Sequence, residues 1–547
     1  MDHTALYLHH KKLLSQAVEA LATRQFFSPY PEHPKAYDPE LDAKGKDAFG
    51  RLLNENFKQL DQEADEWIGE EVSPLWQYGI GVRYPSISSG KYISNSKTAA
   101  KNWKKASIET RAGVLIESLE QVRARFFELA YATMHTTGQS FMMAFQASGP
   151  HATDRALEAV AMGVQELTRY PKDLLFSKPL GKYSLDVQKS WKPISKGVGL
   201  VIGCSTFPTW NTVPGVYANL ICGNTAIVKP HPKSVLARAI FLTELRKVLV
   251  QQGFDANVVQ LAADTIANPI AKELAEHQDV KLVDYTGGNA FGDYVEGLDK
   301  TVFTEKSGIN SVIIDSVKDI KAVAQNIAFS VSLYSGQMCT GPQNIFISEE
   351  VETEDGVLSF DEVASEIVEA VKGVINHPKM GAGTLGSVQN EATIKRINKV
   401  KGNILLAPQK IENPEAANAR IQSPTIITVD AISKEYKHEC FGPLVFLVKT
   451  KDTKGSVEIA SILASEKGAI TCLAFSTNIK TQEEIAERMN EVFVPVSFNL
   501  TGAGFVNQHA AFSDFHVTGG NPAGNASFTD ASFINRRFVW VGNRRMG

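Results

Sequence analysis

Cysteine is scarce in this chain: five residues among 547, at positions 204, 222, 339, 440 and 472. They form no CxxC pair, and an odd, scattered set does not make a disulfide framework. Such usage points to a reducing cytoplasm. No cluster of Cys and His has ligand spacing, so no metal is expected. Long apolar runs are missing too. None reaches the ~18 residues of a membrane span, and "MDHTALYLHHKKLL" carries an early acid and histidines where a secretory signal needs an apolar stretch. There is no basic run either. The 56 Lys and Arg stand against 60 Asp and Glu, a net charge of -4, which argues against nucleic acid as a partner and leaves room only for a local phosphate pocket.

What the chain does have is length and core. At 547 residues, with 43% hydrophobic and 21% charged residues, it is expected to fold as a soluble protein of more than one domain. A helix is expected near residues 4–22, then the turn-rich "FSPYPEHPKAYDPE", then a long helical stretch from Ile108 through "HATDRALEAVAMGVQELTRY". There Leu157, Val160, Ala161 and Val164 recur at helical spacing. From Gly197 the pattern changes. The runs "GVGLVIG", "TAIVK", "VVQLA", "VKLVDYTGG" and "SVIID" read as strands, with an amphipathic helix between Lys233 and Gly253 and another in "NPIAKELAEH". Strands alternating with helices predict a parallel sheet covered on both faces, which binds ligands at the carboxyl ends of its strands.

A second α/β region begins after Asp315. Ile320, Val323, Ala324, Ile327, Ala328 and Val331 mark a helix ending near "SGQ", and "NIFIS" reads as the next strand. Cys339 then lies on a helix-to-strand loop between Gly336 and Gly341, where a side chain can reach a cleft. A lone cytosolic cysteine is more often a small buried hydrophobe than a nucleophile; a thiolate needs a partner for its proton. Glu305, 34 residues upstream, is a candidate partner or a solvated loop acid. Gly287 and Gly288 in "VDYTGGNAFG" follow a strand and open a possible helix, which suits a phosphate or a plain turn. Lys229 ends the strand "TAIVK" and can meet a nucleotide or simply face solvent.

The order "GVGLVIGCSTFP", "GNTAIVKPHPKS", "DYTGGNAFG", "FTEKSGINSVIID", "SGQMCTGPQNIFI" and "HECFGPLVFLV" resembles the aldehyde dehydrogenase superfamily over residues ~100–520. Within it, "FFSPYPEHPK", "MHTTGQSFMMAFQASGPHATDRALEAV" and "GCSTFPTWNTVPG" are most similar to the phenylacetic acid degradation (PaaN) group, as is the long N-terminal region. The resemblance implies an α/β fold with three parts. Residues 1–176 with 196–307 would form a Rossmann-type, NAD(P)-binding domain, residues 308–517 a catalytic domain, and residues 177–195 with 518–547 an oligomerisation element. A homodimer or a dimer of dimers is expected.

The resemblance also assigns roles. Cys339 would be the nucleophile and Glu305 the base that activates water, a step worth about 10²–10⁴ in rate. Glu305 stands in "TEKSG" and lacks the glycine pair that usually follows. Thr206 occupies the place of an oxyanion-binding asparagine, whose loss can cost about 10²–10³; Asn211 is read as structural. Lys229 would bind the adenosine ribose, 23 residues after Thr206. Pro232 stands where NAD-preferring members carry a glutamate, so NADP is expected, helped by His231 and Lys233, with NAD as the alternative. Gly287 and Gly288 would face the pyrophosphate, and Glu439 and Phe441 the nicotinamide ribose. Cys204 and Cys440 are read as packed side chains.

The implied substrate is an aldehyde from hydrolytic ring opening in phenylacetate catabolism, CoA-linked and oxidised to the acid. The sequence ends at Gly547, soon after "FVWVGNRR", so the expectation is that a separate hydratase supplies the aldehyde. Two rivals stand beside this. In a CoA-acylating dehydrogenase the glutamate base is generally lacking, which Glu305 opposes. A non-catalytic binding protein of the same fold is the other, given Thr206 and the altered glutamate motif.

Overall fold

The computed structural model describes residues 4–378, 381–413, 416–504, 511–512, 520–525 and 531–546. One sheet has five parallel strands in the order Val259–Leu261, Thr225–Lys229, Val198–Ile202, Val280–Thr286 and Thr301–Glu305. The first strands follow from composition: "VGLVI" and "TAIVK" are buried at every position, as strands covered on both faces must be. The last strand is not evident from the sequence. Its five residues include only Val302 and Phe303 as apolar members, and its outer edge is closed by a distant segment: Thr304 N donates to Asn525 Oδ1 at 2.9 Å and Asn525 N to Thr304 O at 3.0 Å. Glu305 therefore ends a strand, where the sequence had it on a loop before one.

A second sheet, mostly parallel, runs Asn403–Leu406, Thr425–Asp430, Leu444–Thr450, Pro342–Thr353, Asn310–Val317, Cys472–Phe475 and Val496–Phe498. Helices Ile320–Ser332 and Phe360–Ile375 pack together, and Thr453–Lys467 packs with Ile479–Asn490. Two separate apolar cores result, one containing Val312, Ile345 and Ile367, the other Ile313, Phe346 and Phe446. Alternation along the strands divides them.

A third, antiparallel sheet joins Asp173–Leu180, Tyr183–Ser195 and Phe538–Met546. Its outer strand is exposed along its whole length, including Leu174, Leu175 and Phe176. The boundary expected at residues 517 and 518 lies outside the described residues.

The helical stretch expected from Ile108 consists of four helices: Ile108–Arg123, Phe126–Thr137, Phe141–Ser148 and Pro150–Leu167. Gly138 ends the second with φ 85°, and a Cβ there would lie 2.2 Å from the Ser387 carbonyl. Pro150 can open the last because its missing N–H would have no helical partner anyway. The N-terminal region packs on these helices and also reaches the first sheet. Glu71, buried, accepts from Val235 N at 2.5 Å, Leu236 N at 3.1 Å and the Tyr84 hydroxyl, capping helix Leu236–Gln251 with a carboxylate. Inside the first sheet, the buried Asp284 carboxylate accepts from Asn219 Nδ2 at 3.0 Å and from both Arg537 nitrogens, at 2.8 and 2.5 Å. Such pairing satisfies a buried charge.

Candidate active site

The two sheets meet with the carboxyl end of the strand at Glu305 and the loop of Cys339 facing one region. Helix Ile320–Ser332 stops because the next turn is left-handed at three successive residues, Tyr334 (φ 52°), Ser335 (φ 51°) and Gly336 (φ 63°). Non-glycine residues hold that conformation only when the surroundings impose it. Here the Tyr334 hydroxyl donates to Thr137 O at 2.5 Å, and Ser335 Oγ to Gln422 O at 3.0 Å. Asn310 Nδ2 then donates to Cys339 O at 2.7 Å and to Gly341 O at 3.2 Å. A fixed loop follows, with Cys339 partly open to a cleft bordered by Gly308, Met338, Gln343, Glu439 and Phe441.

Burial pushes the Cys339 thiol well up, and the Glu305 carboxylate and Cys204 push it further, against the Arg155 guanidinium. Glu305 is buried and within electrostatic reach of both Cys339 and Arg155. The resting cysteine is thus a thiol in the field of a buried carboxylate. Glu439 borders the same cleft and accepts from Gly308 N at 3.4 Å, its carboxyl raised by burial. The Phe441 carbonyl accepts from Arg396 Nη2 at 2.6 Å.

Lys229 and the glycine pair lie at the carboxyl ends of the first sheet's strands. Lys229 Nζ donates to Pro230 O at 2.8 Å and pairs with Asp264 Oδ1 at 2.5 Å. Gly287 N donates to Glu305 O at 3.0 Å. Gly288 precedes helix Asn289–Glu296 with no side-chain cap, and a Cβ added to it would meet open space. This donor set fits a dinucleotide: an open helix N-terminus suits a pyrophosphate, and a strand-end lysine beside a carboxylate suits ribose hydroxyls. Pro232 is buried in the turn after Lys229 and offers no polar side chain. Among the described residues, no group of His, Cys, Asp and Glu could hold a metal ion.

The family model described as "Aldehyde dehydrogenase family" matches residues 88–514. This chain belongs to the aldehyde dehydrogenase family. The crystal structure of an NAD-dependent aldehyde dehydrogenase from Burkholderia multivorans is similar to it at 42% identity, covering 99% of each chain with a TM-score of 0.95. A 1-pyrroline-5-carboxylate dehydrogenase from Bacillus subtilis is 24% identical over 78% of this chain and 84% of its own length. A Thermus 1-pyrroline-5-carboxylate dehydrogenase structure with bound NAD shares the fold, with 16% identity, coverage of 96% and 99%, and a TM-score of 0.75.

In this aldehyde dehydrogenase Thr206 and Asn211 both lie close to the sulfur of Cys204. Thr206 is half-buried, with its hydroxyl 4.0 Å from Cys204 Sγ, while Asn211 Nδ2 donates to that sulfur at 3.4 Å. Cys204 is half-buried and packs against Phe207 and Tyr334 beside Met143, Trp210 and Met338, within electrostatic reach of Cys339. Cys440 is buried in the second sheet's core, as read from the sequence.

Several residues here were not evident from the sequence. Arg155 is buried with its guanidinium 3.8 Å from the Trp210 ring centre, a cation–π contact. The clue was a charged residue in a helix buried on nearly all sides. Gln389 Nε2 donates to Thr136 O at 2.8 Å and Ser205 O at 3.0 Å, and its N–H donates to Gln337 Oε1 at 3.0 Å. It ties the loop of Thr206 to the loop of Cys339. Asp264 had no local clue: its relation to Lys229 needs the order of the strands.

Proposed function

We propose that this aldehyde dehydrogenase oxidises a CoA-linked semialdehyde of phenylacetate ring-cleavage catabolism to the acid, with Cys339 as nucleophile and Glu305 as base. The observation that carries the chemistry is the electrostatic reach of the buried Glu305 carboxylate to Cys339, whose loop borders the cleft. Proton transfer from the thiol toward Glu305 frees the sulfur to attack the aldehyde carbon, giving a thiohemiacetal. The Thr206 hydroxyl and the Cys339 N–H are assigned to the developing oxyanion. A nicotinamide dinucleotide, held by the residues assigned below, would supply the hydride acceptor that oxidation of the Cys339 adduct to a thioester requires. Once the thiol proton has passed from Glu305 to solvent, the carboxylate takes a proton from the water that hydrolyses the thioester and returns it to the departing Cys339 sulfur. Lys229, with the Pro232 turn, is assigned to the adenosine ribose, Gly287 and Gly288 to the pyrophosphate, and Glu439 and Phe441 to the nicotinamide ribose. These assignments rest on the donor set described above.

Support for the substrate comes from the likeness to the PaaN group and from the half-buried Met143, Trp210 and Met338 beside Cys204, whose adaptable apolar surface suits an extended unsaturated chain. A separate hydratase would supply the aldehyde. The first sheet with the N-terminal helices is read as the cofactor domain, the second as the catalytic domain. The exposed apolar strand Asp173–Leu180 is read as the contact of a homodimer or dimer of dimers.

The test is a panel of aldehydes, with a CoA-linked semialdehyde, simple aldehydes and 1-pyrroline-5-carboxylate, each with NAD and NADP and with or without free CoA. The reading expects the CoA-linked substrate to have the highest kcat/KM, with no need for free CoA and no turnover by Cys339→Ala. A requirement for free CoA would favour the acylating reaction. Full turnover by Cys339→Ala would end the covalent mechanism.

A further inference from the structure

The preference for NADP expected from the sequence needs a net positive pocket at the adenosine ribose, because a 2′-phosphate is a dianion near neutral pH. The residues around Lys229 do not supply one. Its ammonium contacts the Asp264 carboxylate at 2.5 Å, with both side chains buried. Asp264 is itself fixed by Ile270 N, which donates to Oδ2 at 3.1 Å. Glu70, whose Oε1 accepts from Ile266 N at 2.9 Å, acts electrostatically on both partners. One carboxylate in contact and a second within electrostatic reach therefore offset one ammonium.

The other cations are engaged or neutral. Lys233 Nζ is turned to Asn390 Oδ1 at 3.4 Å. Arg238 is buried, donates to Thr212 Oγ1 at 2.8 Å and faces the carboxylate of Glu71. Burial, then Lys229, Arg238 and Lys233, lower the His231 imidazole to about 4, so it carries no charge at neutral pH.

We infer that Asp264 is a positioning residue that holds and neutralises Lys229, and so selects NAD over NADP. The inference rests on the dinucleotide reading above. With one proton still available after its two contacts, Lys229 can hydrogen-bond a ribose hydroxyl without attracting a 2′-phosphate. Asp264 takes over at a neighbouring strand end the charge role that a glutamate at position 232 would play.

Binding of each dinucleotide to the full-length protein, by isothermal titration calorimetry, tests this without turnover. The wild type should bind NAD at least about tenfold more tightly than NADP, a difference of ~1.4 kcal/mol. Asp264→Asn, nearly isosteric, leaves the Lys229 charge uncompensated. It should tighten NADP by about tenfold while changing NAD by less than about threefold. Glu70→Gln, on a half-buried side chain, should move the ratio the same way by less, and carries the test if Asp264→Asn does not fold. Equal or tighter NADP binding by the wild type overturns the inference, as does an unchanged ratio in both variants. If the folded wild type binds neither dinucleotide, the cofactor reading itself falls, and the inference with it.

Discussion

The Asn310 side chain holds the backbone carbonyl of Cys339 at 2.7 Å. The same amide donates to Gly341 O, and its oxygen accepts from Ile470 N at 2.9 Å and Thr471 N at 3.2 Å. One buried side chain thus joins the loop of Cys339 to the strand Cys472–Phe475. Asn310→Ala removes four hydrogen bonds and leaves buried backbone groups unpaired. It should cost about 2–4 kcal/mol in urea denaturation, and at least about tenfold in kcat/KM as the loop loses its geometry. Asn310→Asp keeps the acceptor but turns an oxygen toward two carbonyls, so it should be no better than alanine. An aspartate variant with wild-type activity would disprove this role.

Gln389 couples the loop of Thr206 to that of Cys339, so its loss should disturb chemistry more than binding. Gln389→Met fills the space but leaves Ser205 O and Thr136 O without their donor. We expect kcat to fall about tenfold with the cofactor dissociation constant changed less than about twofold. Stopped-flow measurement of the first turnover separates the two; an equal loss in cofactor binding would contradict a loop-coupling role.

The raised Cys339 thiol fixes a pH dependence. Below its pKa the thiolate fraction increases about tenfold per pH unit. Inactivation by iodoacetamide should therefore accelerate steadily from pH 7 to 9, with no plateau near pH 8.5. Arg155 opposes the upward shift. Arg155→Gln should slow alkylation at each pH, whereas Arg155→Lys should restore part of the rate if charge is what matters. A variant that alkylates as fast as wild type would remove Arg155 from this role.

His135 gives a separate test of the scaffold. It stacks on Phe49 with ring centres 4.9 Å apart and shares a hydrogen bond with Ser73 Oγ at 3.1 Å. Burial lowers it to about 4. An unfolded histidine titrates near 6.5, so the unfolded state binds the extra proton first. This contribution to stability is full above pH ~6.5 and is lost as pH falls toward 4. From pH 7.5 to 5 it should amount to about 2 kcal/mol. In His135→Phe the decline over that interval should be smaller by about that amount, measured by urea denaturation at both values.

Legibility from sequence followed the range of the interaction. "VGLVI" and "TAIVK" read as strands because burial on both faces leaves no polar position. Cys339 was placed on its loop because a clear helix and a clear strand flank it. The strand at Glu305 was hidden because Thr304 is satisfied by Asn525, about 220 residues away along the chain. The helix breaks at Gly138 and Gly149 were visible as glycines, but apolar periodicity carried across them. Asp264 is hidden in the sequence for a similar reason: the family's glutamate falls three residues after Lys229, on the same loop, where this chain has Pro232. The carboxylate that reaches Lys229 comes instead from the end of the neighbouring strand.

The ion pair of Asp284 and Arg537 has a consequence for the order in which the molecule is made. Asp284 leaves the ribosome 253 residues before its arginine, an interval on the order of ten to fifty seconds at common elongation rates. Until then the strand Val280–Thr286 contains a carboxylate that native packing would bury without its cation. The first sheet can collapse early but cannot close. A nascent chain released before residue 537 should therefore be a client for chaperones or proteases, even with its whole dinucleotide-binding half already synthesised.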